Sequence, residues 1–290
     1  MFERIKTGWK ITKQSFRVLK ADKEILMFPI LSIIFNILLA FLFIIIFLFG
    51  FVGTKLVNEN LINVFTIVYA FIFLCCTYFI SIFFEGAIIT SASIRFSGKN
   101  PSLSDGIKLP LSKIFRIFSW AVINAIVSTI LNTLNNVIKN KSKGTQIAAS
   151  IGTSIIGIAW ALATFFVIPI ILFENLSVFG SIKRSKEIFI KTWGENATAQ
   201  FTTGGIFILF GFLGFIPLLI SLFIGNLTLM GICLLIFLIW MMLMMIISNS
   251  IKGIIIAVLY RYASTGKMPQ IYDSEVQILM TKNNLKQSLS

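Results

Sequence analysis

A few polar side chains inside or at the ends of long apolar runs are the residues of this sequence best placed to do chemistry. Ionisable groups in such runs are costly to bury, so they are the first candidates for a functional path. The candidates are Glu85, Glu174 and Lys252, together with the polar cluster Ser248, Asn249 and Ser250 that precedes Lys252. If Glu85 and Lys252 pair and face the interior of a helix bundle, they would line a polar cavity or a path for protons or a solute.

Glu85 and Lys252 also have a second interpretation, in which both lie at the membrane surface. A Lys side chain can extend from an apolar run to water. Glu85 lies about 36 Å along a helix that starts near residue 61, which is further than the roughly 30 Å hydrocarbon core. For residues 248–250 two alternatives are open: a helix that breaks around a substrate, or hydrogen bonds between neighbouring helices.

No arrangement typical of catalysis or metal binding is visible. The chain has no His, which removes the commonest general base and metal ligand. Cys75, Cys76 and Cys233 lie inside apolar runs without ligand spacing, so neither a zinc site nor a disulfide framework is expected. There is also no Ser/His/Asp set and no phosphate-binding glycine loop. We therefore predict no catalytic residues, no cofactor and no metal site, and a protein that is not an enzyme.

The overall composition indicates that lipid is the solvent for most of the chain. Of the 290 residues, 57% are hydrophobic and only 12% are charged, against about 25% charged in soluble domains. The mean hydropathy is +0.93. A soluble protein of this composition could not keep its surface hydrated, so the sequence predicts an all-α, polytopic protein of the cell membrane.

Long uncharged segments predict six transmembrane helices arranged as three hairpins. A span needs roughly 20 apolar residues, and each hairpin follows a basic amphipathic helix that is expected to lie at the interface. The predicted spans are residues 26–52, 61–94, 114–138, 146–173, 201–224 and 227–260. They belong to one membrane domain, residues 1–263, and a polar cytoplasmic tail, residues 264–290, is predicted to follow it. Pro169 and Pro217 are the positions where the fourth and fifth spans would kink.

The distribution of Lys and Arg predicts the orientation of these spans. Of the 25 basic residues, seven precede the first span, five lie from Arg95 to the first turn of span three at Arg116, four lie between spans four and five, and five follow from Lys252 onward. Six spans place all of these segments, and both termini, on one side of the membrane. The positive-inside rule therefore predicts that both termini are cytoplasmic.

The net charge also bears on the partners of the chain. A formal charge of +14 would suggest nucleic acid as the partner of a soluble protein. Here the basic residues lie between apolar runs and no nucleic-acid-binding motif is present, so they indicate contact with anionic phospholipid at the cytoplasmic face of the bilayer. No protein partner is indicated. Trp9, Trp120 and Trp193 fall near predicted interfaces and are expected to act as interfacial anchors.

Two stretches resemble a family of uncharacterised bacterial and archaeal multipass membrane proteins. The first contains Trp9, Phe16, residues 21–24 (ADKE) and residues 26–32 (LMFPILS). The second, residues 164–196, contains Pro169, Glu174, Ser181, Ser185 and residues 193–196 (WGEN). The layout is also similar to the membrane domain attached to some glycerophosphodiester phosphodiesterases, although no catalytic phosphodiesterase domain is present here. The resemblance implies a six-span membrane protein and assigns no activity and no functional residues.

Three functional hypotheses are compatible with these features. The first is a non-enzymatic membrane scaffold or accessory component in contact with anionic lipid. The second is a transporter or channel for a small or amphiphilic solute, with a polar path near Glu85 and Lys252. The third, a membrane-embedded enzyme, is disfavoured because the chain lacks His and the known catalytic motifs.

Overall fold

The structure is a computed structural model, and it describes the backbone of residues 2–57, 59–139, 143–193 and 198–272. These residues form helices joined by short turns, and no strand occurs among them, so the all-α prediction is confirmed for this part of the chain. Side chains are described for residues 8–50, 63–136, 147, 149–190 and 211–272. The helices are α1 Phe2–Ala21, α2 Met27–Val57, α3 Glu59–Phe96, α4 Leu103–Ser112, α5 Ile114–Lys139, α6 Lys143–Ala163, α7 Val167–Phe173, α8 Val178–Trp193, α9 Thr198–Ile224 and α10 Leu227–Thr265, with a short 3₁₀ helix, Lys23–Leu26, between α1 and α2.

Five segments are long and apolar enough to cross a membrane, which makes the chain a multi-pass membrane protein. They are Lys23–Gly50, Asn63–Phe96, Ile114–Asn136, Ala149–Phe173 and Leu227–Thr265. Their positions match five of the six predicted spans. The predicted fifth span, residues 201–224, falls in α9, but the side chains of residues 201–210 lie outside the described residues. The described remainder, Gly211–Ile224, is apolar and shorter than a membrane crossing.

The predicted fourth span is interrupted inside its apolar run. α6 ends at Ala163 and α7 begins at Val167. Pro169 explains this position, because proline has no N–H to donate to the carbonyl of Phe165 and its ring would clash with that carbonyl in a continuous helix. Phe165 and Val167 instead donate to carbonyls three residues earlier, at 3.4 and 3.1 Å. The kink expected at Pro169 is therefore a break one turn before it.

One compact unit of the chain consists of Met1–Pro29, Ile88–Leu103 and Ile190–Ser290. Within it α1 contacts α9 and α10, and the 3₁₀ helix contacts α10. Its core combines side chains from α1 and the start of α2, from the end of α3, and from α10. The fully or almost fully buried members include Val18, Leu19, Ile25, Phe28, Ile88, Ile251, Ile254 and Val258.

Glycines allow two close approaches between helices of this unit. A β-carbon added at Gly253 would clash with Ile88, and one added at Gly214 of α9 would lie 2.7 Å from Nε1 of Trp240 in α10. Gly211, one turn before Gly214, leaves an ordinary 3.8 Å to the sulfur of Met241. Trp240 therefore packs against α9 only because position 214 has no side chain.

The second compact unit consists of Ile30–Ala87 and Ser104–Phe189. Here α5 contacts both α6 and α7. Trp120 of α5 stacks on Trp160 of α6, with ring centroids 6.0 Å apart. The rings of Phe43 and Tyr69 join α2 to α3, at 5.2 Å. Residues that are fully or almost fully buried include Ile117, Ala121, Phe166, Val167, Ile170 and Ile171.

The apolar side chains of α2 are largely exposed. In the most apolar window of the segment Lys23–Gly50, none of the residues is buried within the protein. Phe41, Leu48 and Phe49 each expose more than half of their surface. In water such exposure would cost about 25 cal/mol for each Å² of apolar surface, so the surrounding medium must be apolar, as the composition predicts.

The C-terminal segment remains packed beyond the end of α10. Gly266 ends that helix in a left-handed conformation, with φ 71°, which glycine adopts without steric cost. Met268, Pro269 and Tyr272 are then buried. The hydroxyl groups of Tyr272 and Ser15 lie 2.9 Å apart. The segment predicted to be a polar tail from residue 264 therefore begins with packed residues, and its remainder, residues 273–290, lies outside the described residues.

Candidate functional site

Glu174 lies at a sharp corner between α7 and α8. Its N–H donates to the Ile170 carbonyl at 2.8 Å and ends α7. The next residue, Asn175, has φ 55°, a left-handed conformation that Asn tolerates better than most other non-glycine residues. The chain reverses there and enters α8 at Val178.

Basic side chains converge on this corner. Arg184 Nε lies 3.2 Å from Glu174 Oε2, and Arg184 Nη1 lies 3.9 Å from Glu187. Arg116 Nη1 donates to Asn175 Oδ1 at 3.2 Å, and Lys113 Nζ donates to the same oxygen. We call Lys113, Arg116, Glu174, Asn175 and Arg184 the basic corner.

Lys113 and Arg116 reach the corner because of the junction between α4 and α5. Lys113 lies between the two helices, and its N–H donates to the Pro110 carbonyl at 3.0 Å. Arg116 follows three residues later, in the first turn of α5, and residues with this spacing lie on the same face of a helix. The junction therefore presents both cations to Asn175.

The interruption between α6 and α7 also depends on α8. Phe166 is fully buried, and its N–H donates to Ser185 Oγ at 3.0 Å. In a continuous helix that N–H would bond to the Leu162 carbonyl, which here accepts from Phe165. The Ser185 hydroxyl thus satisfies a backbone donor that the break releases, as a buried N–H requires.

The side chains of α8 divide sharply by burial. Ser181, Ser185, Ile188 and Phe189 are buried, whereas Lys183, Arg184, Lys186 and Glu187 are exposed. Phe179, in the first turn, is 75% exposed. One side of α8 therefore closes the α6–α7 break, and the other presents mainly basic groups.

The predicted pair Glu85–Lys252 belongs to two different compact units. Glu85 is half-buried in α3, and Lys252 is exposed in α10. Their pairing, and the polar path it would line, stays a prediction.

The polar cluster before Lys252 lies in an unbroken part of α10. Ser248 is half-buried and Asn249 is exposed, while Ser250 is fully buried and its hydroxyl donates to the Ile246 carbonyl at 2.9 Å. This local bond lets a serine remain inside a helix. The alternative of a helix that breaks at residues 248–250 is therefore wrong, and the break lies instead at residues 164–166.

The three predicted interfacial anchors have different surroundings. Trp9 is 49% exposed on α1. Trp120 is only 4% exposed, and its stacking on Trp160 accounts for that burial within the protein. The side chain of Trp193 lies outside the described side chains. An anchoring role for these residues stays a prediction.

A buried carboxyl group lies at the end of α1. Asp22 is 7% exposed, and no hydrogen-bond partner for its Oδ2 occurs among the described residues. Burial raises the pKa of Asp22 above its ordinary value of 3.8; Arg95 lowers it, and Glu24 raises it further. Burial also raises the pKa of the Tyr272 hydroxyl, while its hydrogen bond to Ser15 acts in the opposite direction.

Sequence reasoning identified Glu174 but not the residues that gather around it. Asn175 carried one usable signal, since an Asn directly after an apolar helical run is a common left-handed helix end. From the sequence, Lys113, Arg116 and Arg184 are only charges of the basic segments between spans, because their convergence depends on the packing of α5 beside α7. Among the described residues, no group of three Cys, Asp or Glu side chains could hold a metal ion.

Comparison with known proteins places the chain in one family. The sequence model of a family of unknown function (DUF6159) matches residues 63–270. No curated protein matches the chain. The resemblance to an uncharacterised family is thus confirmed, while the comparisons give no support to the likeness with the membrane domain of phosphodiesterases. Because the match covers most of the sequence, the chain belongs to the family of unknown function DUF6159.

Proposed function

We propose that the protein is a non-enzymatic membrane scaffold or accessory component whose basic surface helices bind anionic phospholipid at the cytoplasmic face. The observation that carries this proposal is the division of α8, with Lys183, Arg184 and Lys186 exposed on one side and apolar residues buried on the other. An exposed aromatic side chain, Phe179, accompanies the charges. Basic and aromatic groups on one amphipathic helix are typical of helices that lie at a membrane surface.

The exposure pattern of α1 supports the same role. Lys13, Arg17 and Lys20 are exposed, while Ile11 and Val18 are buried. Each basic residue near a negatively charged lipid surface contributes about 1 kcal/mol to binding, and the attraction is screened within a Debye length. Several such helices would hold anionic lipid around the protein without any catalytic chemistry.

The proposed orientation has six spans, with α9 as the fifth, and both termini in the cytoplasm of the cell. It brings α1, the α4–α5 junction and α8 to one face of the membrane. Most basic residues then lie on that face, as the positive-inside rule requires. Protease protection of tags added to the two termini tests this orientation, since both should be cleaved from the cytoplasmic side alone.

Lipid binding is tested with the full-length protein in detergent. Native mass spectrometry should show more phosphatidylglycerol than phosphatidylcholine bound per chain. The double variant Lys183→Gln and Lys186→Gln should reduce the number of anionic lipids bound. The matched variant Lys139→Gln and Lys141→Gln, which removes the same charge from the loop predicted on the opposite face, should not. Equal binding of the two lipids by the wild type would refute the proposal.

A second candidate function, solute or proton transport, is favoured by one observation. The span Ala149–Phe173 contains a helix break, and broken helices form the substrate sites of many transporters. In proteoliposomes under an imposed membrane potential, a pH-sensitive dye would report proton flux. Loss of that flux in the double variant Glu85→Gln and Lys252→Met would support transport, and flux unaffected by the two changes would remove the predicted path.

A further inference from the structure

We propose that the basic corner is a discrete site for the phosphate group of one anionic phospholipid, held by Lys113 and Arg116. This inference rests on the proposed lipid-binding function and gives it a specific site. It differs from general attraction to a charged surface, because it requires these two cations at this geometry and predicts one lipid bound more tightly than the rest.

The geometry already brings two cationic groups to one point. Lys113 Nζ and Arg116 Nη1 both donate to Asn175 Oδ1. Two cations that share a single acceptor atom are held close to each other and repel. A phosphate group offers several acceptor oxygens and a negative charge, so it can bond to both cations and relieve that repulsion.

The charge around the corner is not balanced by carboxylates. Arg184 is matched by Glu174 at 3.2 Å and by Glu187 at 3.9 Å. Lys113 and Arg116, in contrast, donate to a neutral amide oxygen within the described part of the chain. Three cations and two carboxylates leave one net positive charge in this group, on the side of Lys113 and Arg116, and an anion is the complementary ligand.

The position of the corner indicates a lipid rather than a free anion. Lys113 directly precedes the span Ile114–Asn136, and Glu174 directly follows the span Ala149–Phe173. The corner thus lies where two spans end, at the depth of lipid head groups. Phe115, between the two cations in sequence, is 85% exposed, and Phe118 is 47% exposed. These side chains offer an apolar surface beside which acyl chains can lie.

The test measures the affinity of the first lipid bound to the full-length protein. Native mass spectrometry with phosphatidylglycerol should show one binding step stronger than the later ones. The double variant Lys113→Gln and Arg116→Gln should weaken that step by about 30-fold, from two lost contacts between charged groups. The variant Lys183→Gln and Lys186→Gln, with the same charge change on α8, should lower the number of later lipids and leave the first step intact.

A second variant guards against misfolding. Asn175→Asp has nearly the same shape and tolerates the left-handed backbone, but its carboxylate would pair with both cations and compete with the phosphate. First-step binding should fall while the melting temperature is kept. Unchanged first-step affinity in both corner variants would overturn the site, as would an equal loss in the α8 variant. A wild type that does not prefer phosphatidylglycerol over phosphatidylcholine would instead overturn the proposed function itself.

Inorganic phosphate and glycerol phosphate form a separate arm of the experiment. At matched concentration they should displace the first lipid poorly, because they lack the acyl chains that pack beside Phe115. Full displacement by either would assign the corner to a soluble phosphate and overturn the lipid assignment.

Discussion

Replacing Ser185 with Ala is predicted to loosen the break between α6 and α7. The Phe166 N–H and the Ser185 hydroxyl oxygen are 3.0 Å apart, and both residues are fully buried. Ala fills nearly the same volume as Ser. The substitution therefore acts on this one hydrogen bond and leaves the surrounding packing in place.

The expected cost follows from the loss of the Ser185 hydroxyl as the acceptor of the Phe166 N–H. A buried N–H without a partner costs about 1–3 kcal/mol. The carbonyl that a continuous helix would provide, that of Leu162, already accepts from Phe165, so the Phe166 N–H cannot return to it without rebuilding the turn. A free-energy change of this size increases the population of locally opened states about 5- to 150-fold.

Ser181→Ala is the matched control. Ser181 is also fully buried on α8, one turn before Ser185. Its hydroxyl donates to the Ser177 carbonyl at 2.9 Å, and its own N–H donates to the same carbonyl at 2.8 Å. Removing the hydroxyl therefore leaves no buried donor or acceptor without a partner, and local opening should change little.

Hydrogen–deuterium exchange of the full-length protein in nanodiscs measures the difference. Peptides that cover residues 163–168 should exchange faster in Ser185→Ala than in the wild type, while Ser181→Ala should match the wild type. Equal exchange in all three proteins, or equal acceleration in the two variants, would show that the Ser185 hydroxyl does not hold the break.

Three further substitutions test the unit that contains both ends of the chain. Tyr272→Phe removes the buried hydrogen bond to Ser15 and should lower the free energy of unfolding by about 0.5–1.5 kcal/mol. Gly214→Ala places a β-carbon in the ring of Trp240 and should cost about 1–3 kcal/mol through overpacking. Asp22→Asn should remove a pH dependence of the free energy of unfolding. Because the pKa of Asp22 is raised in the folded state above its ordinary value of 3.8, the carboxyl group stabilises the folded protein below pH 3.8, and this stabilisation is lost as the pH rises through the folded-state pKa. Reversible unfolding in mixed micelles measures all three.

Each of these substitutions has its own control. Ser15→Ala combined with Tyr272→Phe should cost little more than Tyr272→Phe alone, because the only other bond of the Ser15 hydroxyl within the described residues is a local one, to the Ile11 carbonyl of the same helix at 2.9 Å. Gly211→Ala adds a β-carbon with room to spare, so it should be tolerated where Gly214→Ala is not. For Asp22, the pH profiles of stability of the wild type and the variant must differ above pH 3.8; parallel profiles there would contradict the raised pKa.

The positions of five spans could be predicted because they depend on composition within single segments. Any run of about 20 apolar residues is driven into lipid whatever its neighbours are. The same independence of context explains why the all-α class followed from the sequence alone. The exposed apolar surface of α2 also follows from the composition of that segment, and predicting it requires no knowledge of tertiary contacts.

The break at residues 164–166 could not be placed in this way. Pro169 and Pro217 look alike in the sequence, yet Pro217 lies inside a continuous α9 while Pro169 accompanies a break. At the break before Pro169, the N–H of Phe166 donates to the hydroxyl of Ser185, which lies 19 residues after Phe166 in the chain. Whether such an acceptor is present is a property of packing, so local pattern could not predict it.

The basic corner was hidden for the same reason. Lys113, Arg116 and Arg184 come from two segments that are far apart in sequence, and counting their charges predicted only a side of the membrane. Lys113 and Arg116 meet at Asn175 and Arg184 binds the adjacent Glu174, so their convergence depends on the left-handed turn after Glu174. The sequence indicated which residues carry charge there, but not which charges share an acceptor.

The contact between Ser15 and Tyr272 has a consequence for biogenesis. It joins residues separated by 257 positions, and the unit around it combines Met1–Pro29, Ile88–Leu103 and Ile190–Ser290. Because α9, α10 and Tyr272 are synthesised after α1, the buried side of α1, which includes Ser15, is covered only after they have emerged from the ribosome. The segments of the other unit, Ile30–Ala87 and Ser104–Phe189, are all translated before α9 and α10, so they can assemble before this contact forms. The unit that contains Ser15 and Tyr272 is therefore completed later than the other unit.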